Sequence, residues 1–264
     1  MAIFCRVSLT YGQYLRVGQL LDLQQPLSDE HDEMLFIVIH QVYELWFKQQ
    51  IHEIDHACAC LQGGDGGGAA TTLRRMLTIL KTMVAQIDVL ETITPTGFLS
   101  FRARLENASG FQSWQFRAFE FALGNRRSSA LGVTAEGSPE RNNLQKRLGA
   151  LTIWQSMLAH LAKCGHPIPS DRFATPADKL AEPDPVVQEV LLSIYRAGGE
   201  LHRLCELLVD LDEGVQEWRY RHVKMVERTI GFKRGTGGSS GAEYLRTTLF
   251  RPAFPDLWEI RTRL

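Results

Sequence analysis

LCELLVDLDEGVQEWRYRHVKM, residues 204–225, decides the fold class. Leu204, Leu208, Leu211, Val215, Trp218, His222 and Met225 follow alternating steps of four and three residues, the spacing that keeps one face of a helix against its neighbours. The residues between them are mostly polar, so the stretch predicts a bundle helix with a single apolar seam. One member of that seam is an imidazole, His222.

Helix formers extend upstream to Val186, with a break or bend expected at Gly198-Gly199. Leu73, Met76, Leu77, Leu80, Met83, Val84, Ile87 and Leu90 trace a second helical stripe. A third long helix is expected over residues 28–62, with Ser28 as N-cap, acidic residues in its first turn, and Leu35, Ile39, Val42, Leu45 and Trp46 on its apolar face. Gly63 to Gly68 reads as a flexible six-residue turn joining these two helices. Pro95 and the Asn107–Gly110 turn bracket a short helix with Phe98, Phe101 and Arg102, and another helix is expected over residues 111–123. A polar connection spans 124–139, a helical pattern returns over about 142–163, and prolines 167, 169, 176, 183 and 185 then interrupt the chain. No segment alternates with a two-residue period, so the architecture is expected to be an all-α helical bundle, one domain over residues 1–264.

Composition narrows the function classes. Lys and Arg number 29 against 30 Asp and Glu, a formal charge of −1 that offers no basic excess for a polyphosphate, so no nucleic acid partner is expected. No window carries eighteen unbroken apolar residues, so no membrane partner is expected either. Five cysteines, an odd number without CxxC pairing, point to free thiols and a cytoplasmic location.

Two histidines stand out as chemistry. His40 sits mid-helix with Phe36 one turn before it, about 40° away around the axis, so an aromatic ring and an imidazole share a face. With His222 on a second seam, the pair suits a cofactor held between facing helices, heme among them, although a lone imidazole on an apolar stripe is more often a core residue bonded to a carbonyl than a ligand. His52-Glu53-Ile54-Asp55-His56 matches H-E-x-x-H, a zinc pattern. Its polar surroundings, Gln49, Gln50 and Asp55, and the lack of a placed third ligand argue against a metal there. Gly231 to Gly241 follows the seam helix and is rich in glycine; it reads as a surface turn or as a lid ordering over a small ligand, with Thr236 as a polar contact.

Five blocks in order carry a resemblance: YGQYL (11–15), QQPLSDEHDEMLFIVIHQVYELWFKQ (24–49), ASGFQSWQFR (108–117), RHVKMVERTIGFKRGTGGSSG (221–241) and FPDLWEIRT (254–262). The chain resembles the tryptophan 2,3-dioxygenase family over nearly its whole length. That resemblance implies an all-α homotetramer with one heme b per subunit lying between helices, active in the ferrous state. It implies His222 as proximal iron ligand and His40 as the catalytic distal histidine facing the indole nitrogen. Arg102 then pairs the substrate carboxylate, Thr236 lies near its carboxylate and ammonium, Phe36 and Phe98 flank the indole, and Ser109 and Gly110 lie beside the heme. Tyr11 and Tyr14, on a short N-terminal arm over residues 1–20, are implied to contact a neighbouring subunit's site.

The implied activity is heme-dependent cleavage of the indole C2=C3 bond of L-tryptophan by O2, giving N-formylkynurenine, a step of tryptophan catabolism in the kynurenine pathway. Glu106-Asn107 and Ile39 depart from the family pattern and motivate an alternative, a heme monooxygenase of tryptophan or a modified tryptophan with a 3-hydroxylated or oxindole product.

Overall fold

The computed structural model describes residues 8–173, 181–233 and 242–264. Among them twelve α-helices occur in chain order: α1 (Tyr11–Leu15), α2 (Val17–Leu21), α3 (His31–Gly63), α4 (Gly66–Leu90), α5 (Pro95–Arg102), α6 (Trp114–Leu123), α7 (Pro139–Gly149), α8 (Ile153–Lys163), α9 (Pro185–Ala197), α10 (Glu200–Ile230), α11 (Ala242–Arg246) and α12 (Pro255–Glu259). Short 3-10 turns lie between some of them, and no strand occurs among the described residues.

The long helices α3, α4 and α10 build the core. α4 packs against both of the others, and α3 also meets α5, α6 and α8. Both expected stripes face inward: Leu73, Met76, Leu80, Met83 and Ile87 of α4 and Leu204, Leu208 and Leu211 of α10 are at most 2% exposed. Each such side chain contributes roughly 1.5–3 kcal/mol by leaving water, which is what holds helices with several charged faces together. Gly214 of α10 lies against Leu80 of α4, where a Cβ would meet Leu80 Cδ2 at 2.7 Å.

Several boundaries differ from the expected ones. Ser28 does not cap α3, whose N-cap Glu30 makes no side-chain bond. Instead Glu33 folds back and accepts the backbone N–H groups of Leu27 (2.9 Å) and Ser28 (2.8 Å) together with the Ser28 hydroxyl. A buried carboxylate therefore holds the approach to the helix. The six-residue glycine turn shrinks to Gly64 and Asp65. Asp65 caps α4 by accepting from the Gly68 N–H at 2.8 Å, and Gly64 takes the left-handed conformation at φ 89° that ends α3. Gly66 serves close packing instead of flexibility, because a Cβ there would meet Glu200 Oε1 at 2.6 Å.

The helix expected over 142–163 is two helices, because Ala150 is extended and Thr152 opens α8 with a capping box to Gln155. The helix expected from Phe111 starts at Trp114, after a 3-10 turn over Gly110–Gln112. The Gly198-Gly199 break separates α9 from α10. Cys58, Cys60, Cys164 and Cys205 are free thiols, and Cys5 lies outside the described residues.

Candidate active site

A cavity of about 250 Å³ opens where α3, α5, the start of α6, and α10 converge. Helical spacing selects its walls. From α3 come Phe36, His40, Tyr43, Glu44 and Phe47; from α5 come Phe98 and Arg102, one turn apart; from α10 come Trp218, His222 and Val226 at four-residue steps. α5 is fixed at its start by Thr94, whose hydroxyl accepts the Gly97 N–H at 3.0 Å, with Pro95 at the first helical position. Ser109 and Gly110 reach the cavity from the turn before α6, where Ser109 caps the 3-10 turn through Phe111 N–H. Seven expected site residues, Phe36, His40, Phe98, Arg102, Ser109, Gly110 and His222, thus share one cavity.

His40 Nδ1 lies 2.7 Å from the Phe36 carbonyl oxygen. A carbonyl only accepts, so Nδ1 carries the proton and Nε2 keeps a free lone pair. Burial lowers the His40 pKa, with opposing contributions from that bond and from Glu44, so the ring is neutral near pH 7. The Phe36 ring sits 4.1 Å from the His40 ring and 5.7 Å from Phe98, forming an aromatic corner. Glu44, one turn beyond His40, is held by Gln115 Nε2 at 2.8 Å.

His222 stacks on Trp218, with centroids 5.3 Å apart and planes 4° from parallel. Burial, with a smaller contribution from His40, pushes its pKa down to about 4, leaving a neutral imidazole. Its ring nitrogens take no hydrogen bond among the described residues. A neutral, unbonded imidazole on a wall with Ile87, Leu90, Val226 and Ile230 is the donor chemistry heme iron takes, and the cavity's apolar lining suits a porphyrin face. The structure therefore fits a heme between α3 and α10.

The sequence reading missed the charged side of this cavity. Glu120 accepts from Arg117 Nη1 at 2.6 Å and Arg219 Nη2 at 2.8 Å, all three side chains less than 10% exposed, and from Arg127 Nη2 at 3.1 Å. Arg117 and Glu120 stand three residues apart on α6, but the second donor to Glu120, Arg219, is 99 residues away, a pairing no local spacing reveals. The Trp218–His222 stack had a signal, the four-residue step on the seam.

Other expected residues lie elsewhere. Tyr11 and Tyr14 stand on α1, 77% and 72% exposed. Thr236 lies outside the described residues, as does most of the glycine-rich segment around it. In the HEIDH stretch Glu53 is buried and pairs with Arg75 at 2.9 Å, while Asp55 pairs with Arg147. Gln50 is buried rather than solvated, donating to the Met76 carbonyl. No cluster of three or more metal-ligating side chains occurs among the described residues.

The profile of the family described as tryptophan 2,3-dioxygenase matches residues 3–150 and 184–264. The chain belongs to the tryptophan 2,3-dioxygenase family. It is 56% identical over 257 residues to the tryptophan 2,3-dioxygenase of Anaeromyxobacter sp. (strain K), covering 97% of each chain. To that of Herpetosiphon aurantiacus it is 53% identical over 259 residues, covering 97% of this chain and 99% of the relative. To that of Caulobacter vibrioides it is 42% identical over 259 residues, covering 97% and 98%. Membership in the tryptophan 2,3-dioxygenase family makes the chain an oxygenase, and the stretches that build the cavity all fall inside the matched residues.

Proposed function

We propose that the chain cleaves the indole C2=C3 bond of L-tryptophan with O2 and heme b, giving N-formylkynurenine. The observation that carries this reading is the meeting of His40, His222, Phe36, Phe98 and Arg102 around one cavity in a member of this family. His222 would hold the iron, its neutral imidazole available as a ligand. Bound there, heme supplies the activation of O2 that lets both oxygen atoms enter the substrate.

The chain's own residues do the rest. The guanidinium of Arg102, in reach of a ligand in the cavity, takes the substrate carboxylate, a planar pairing that also sets the direction of the side chain. Phe36 and Phe98 take the indole between them, and the apolar wall keeps water from the reacting bond. With its proton fixed on Nδ1, His40 offers Nε2 as acceptor for the indole N–H, which orients the C2=C3 bond without needing a strong base. Ser109 and Gly110 border the cofactor's side of the cavity, and Thr236 would contact the carboxylate and ammonium of the substrate.

The assembly belongs to the same reading. α1 and α2 bury none of their residues, and Tyr11, Tyr14, Leu21 and Leu23 are all more than 60% exposed, which supports a homotetramer whose arms complete neighbouring sites. We place the protein in the cytoplasm, as its free thiols suggest. No helix among the described residues is long and apolar enough to cross a membrane. Aerobic incubation of the reduced, heme-loaded chain with L-tryptophan tests the activity: a product with the mass of tryptophan plus O2 is expected, and a heme that responds to tryptophan without turnover would overturn it.

A further inference from the structure

The buried charges of the cavity do not balance locally. Arg117 and Arg219 converge on the single carboxylate of Glu120 with less than 10% of each side chain exposed, and Arg127 approaches the same carboxylate from the edge. Of the nearby carboxylates, Asp212 accepts from the N–H groups of Ala253, Phe254 and Trp258 through one oxygen and adds a second attraction on Arg219, and Glu44 is bound by Gln115, so three guanidiniums face two carboxylates. Arg219 gives its other amino group to the Thr248 carbonyl at 3.1 Å, and the Arg117 guanidinium lies over the rings of Phe111 and Phe116. Buried cations without matching charge are costly, and an anion entering the cavity would relieve that cost.

Position names the anion. Arg219 is three residues before His222 on α10, about 4.5 Å along the helix axis, and both line the cavity. A group bound at His222 therefore shares the cavity with Arg219 and Arg117, which line it as well. We propose that the Arg117–Glu120–Arg219 cluster is a carboxylate-binding edge of the cavity, and that the carboxylates it takes are those of the heme porphyrin. The inference rests on the heme reading above. The substrate carboxylate has its own partner in Arg102, on α5. Burial lowers the Arg219 pKa, with Arg127 and Arg117 adding to it and Glu120 and Asp212 opposing it.

Titrating the full-length heme-free chain with hemin and with hemin dimethyl ester, followed by the Soret band, tests this. The two ligands share the iron and the ring and differ in their charged carboxylates. The wild-type chain is expected to prefer hemin by about tenfold or more, and Arg219→Gln and Arg117→Gln are expected to bring that preference towards unity, while Arg219→Lys retains most of it. A cluster that only ties α6 to α10 would change overall affinity or folding but not the ratio between the two ligands. Equal binding of both by the wild-type chain overturns the inference and leaves the heme reading intact. Binding of neither overturns both. The wild-type ratio requires no variant to fold, and an unchanged ratio in folded arginine variants also overturns the proposal.

Discussion

His40 Nδ1 lies 2.7 Å from the carbonyl oxygen of Phe36, one turn earlier on the same helix, and this contact decides which side of the imidazole can accept a hydrogen bond. In the proposed function, the acceptor left at Nε2 serves the indole N–H. In a His40→Ala variant kcat/KM for L-tryptophan should fall roughly ten- to hundredfold, the effect of leaving a buried donor without its acceptor. With 1-methyl-tryptophan, which lacks that N–H, the same variant should lose little; equal losses for both substrates would assign His40 another role.

Arg102 is expected to act through the substrate carboxylate. Arg102→Ala should lower kcat/KM for L-tryptophan by about 2–5 kcal/mol, the cost of truncating one partner of a buried charge pair. Tryptamine, without a carboxylate, should be a poor substrate for the wild-type chain and be little affected by the substitution. An unchanged kcat/KM for L-tryptophan would remove Arg102 from the site.

Gly214 tests the packing of α4 on α10. A methyl group there would sit 2.7 Å from Leu80 Cδ2, inside the core, so Gly214→Ala should destabilise by about 1–3 kcal/mol despite alanine's better helix propensity. Denaturant unfolding measures it, and a stabilised variant would show that Leu80 moves aside freely.

Glu33 predicts a pH dependence. Burial works to raise its pKa, but the bonds from Ser28 and from the Leu27 and Ser28 N–H groups prevail and hold it below the ordinary 4.5. A depressed carboxylate pKa stabilises fully above the unfolded value, and that stability is lost as pH falls through the folded value. The stability gap between wild type and Glu33→Gln should therefore be full above about pH 5 and close as pH falls below 4.5. A gap that widens on acidification would contradict the assignment.

What was legible in the sequence depended on the range of the interaction. The 204–225 seam and the 73–90 stripe are set by local periodicity, and both face inward, with Leu77, Val84 and His222 half-buried and the rest buried. The pocket residues His40 and Phe36 were legible for the same reason, being one turn apart on a helix. The glycine run misled because Gly66 answers a close contact from Glu200, far along the chain, and only Gly64 answers a turn. Ser28 looked like a cap because serine usually is one, yet its hydroxyl serves a carboxylate five residues on. The cluster around Glu120 escaped because its Arg219 arm pairs across folded helices, which leaves no spacing to read, although its Arg117 arm is an i,i+3 pair on α6.

The central claim, that both atoms of O2 enter L-tryptophan in this cavity, is tested most directly by mass spectrometry of the product formed by the reduced, heme-loaded chain under 18O2. A ring-opened product carrying two labelled oxygens is expected. A hydroxylated or oxindole product with a single labelled oxygen would contradict the account and establish a monooxygenase in its place.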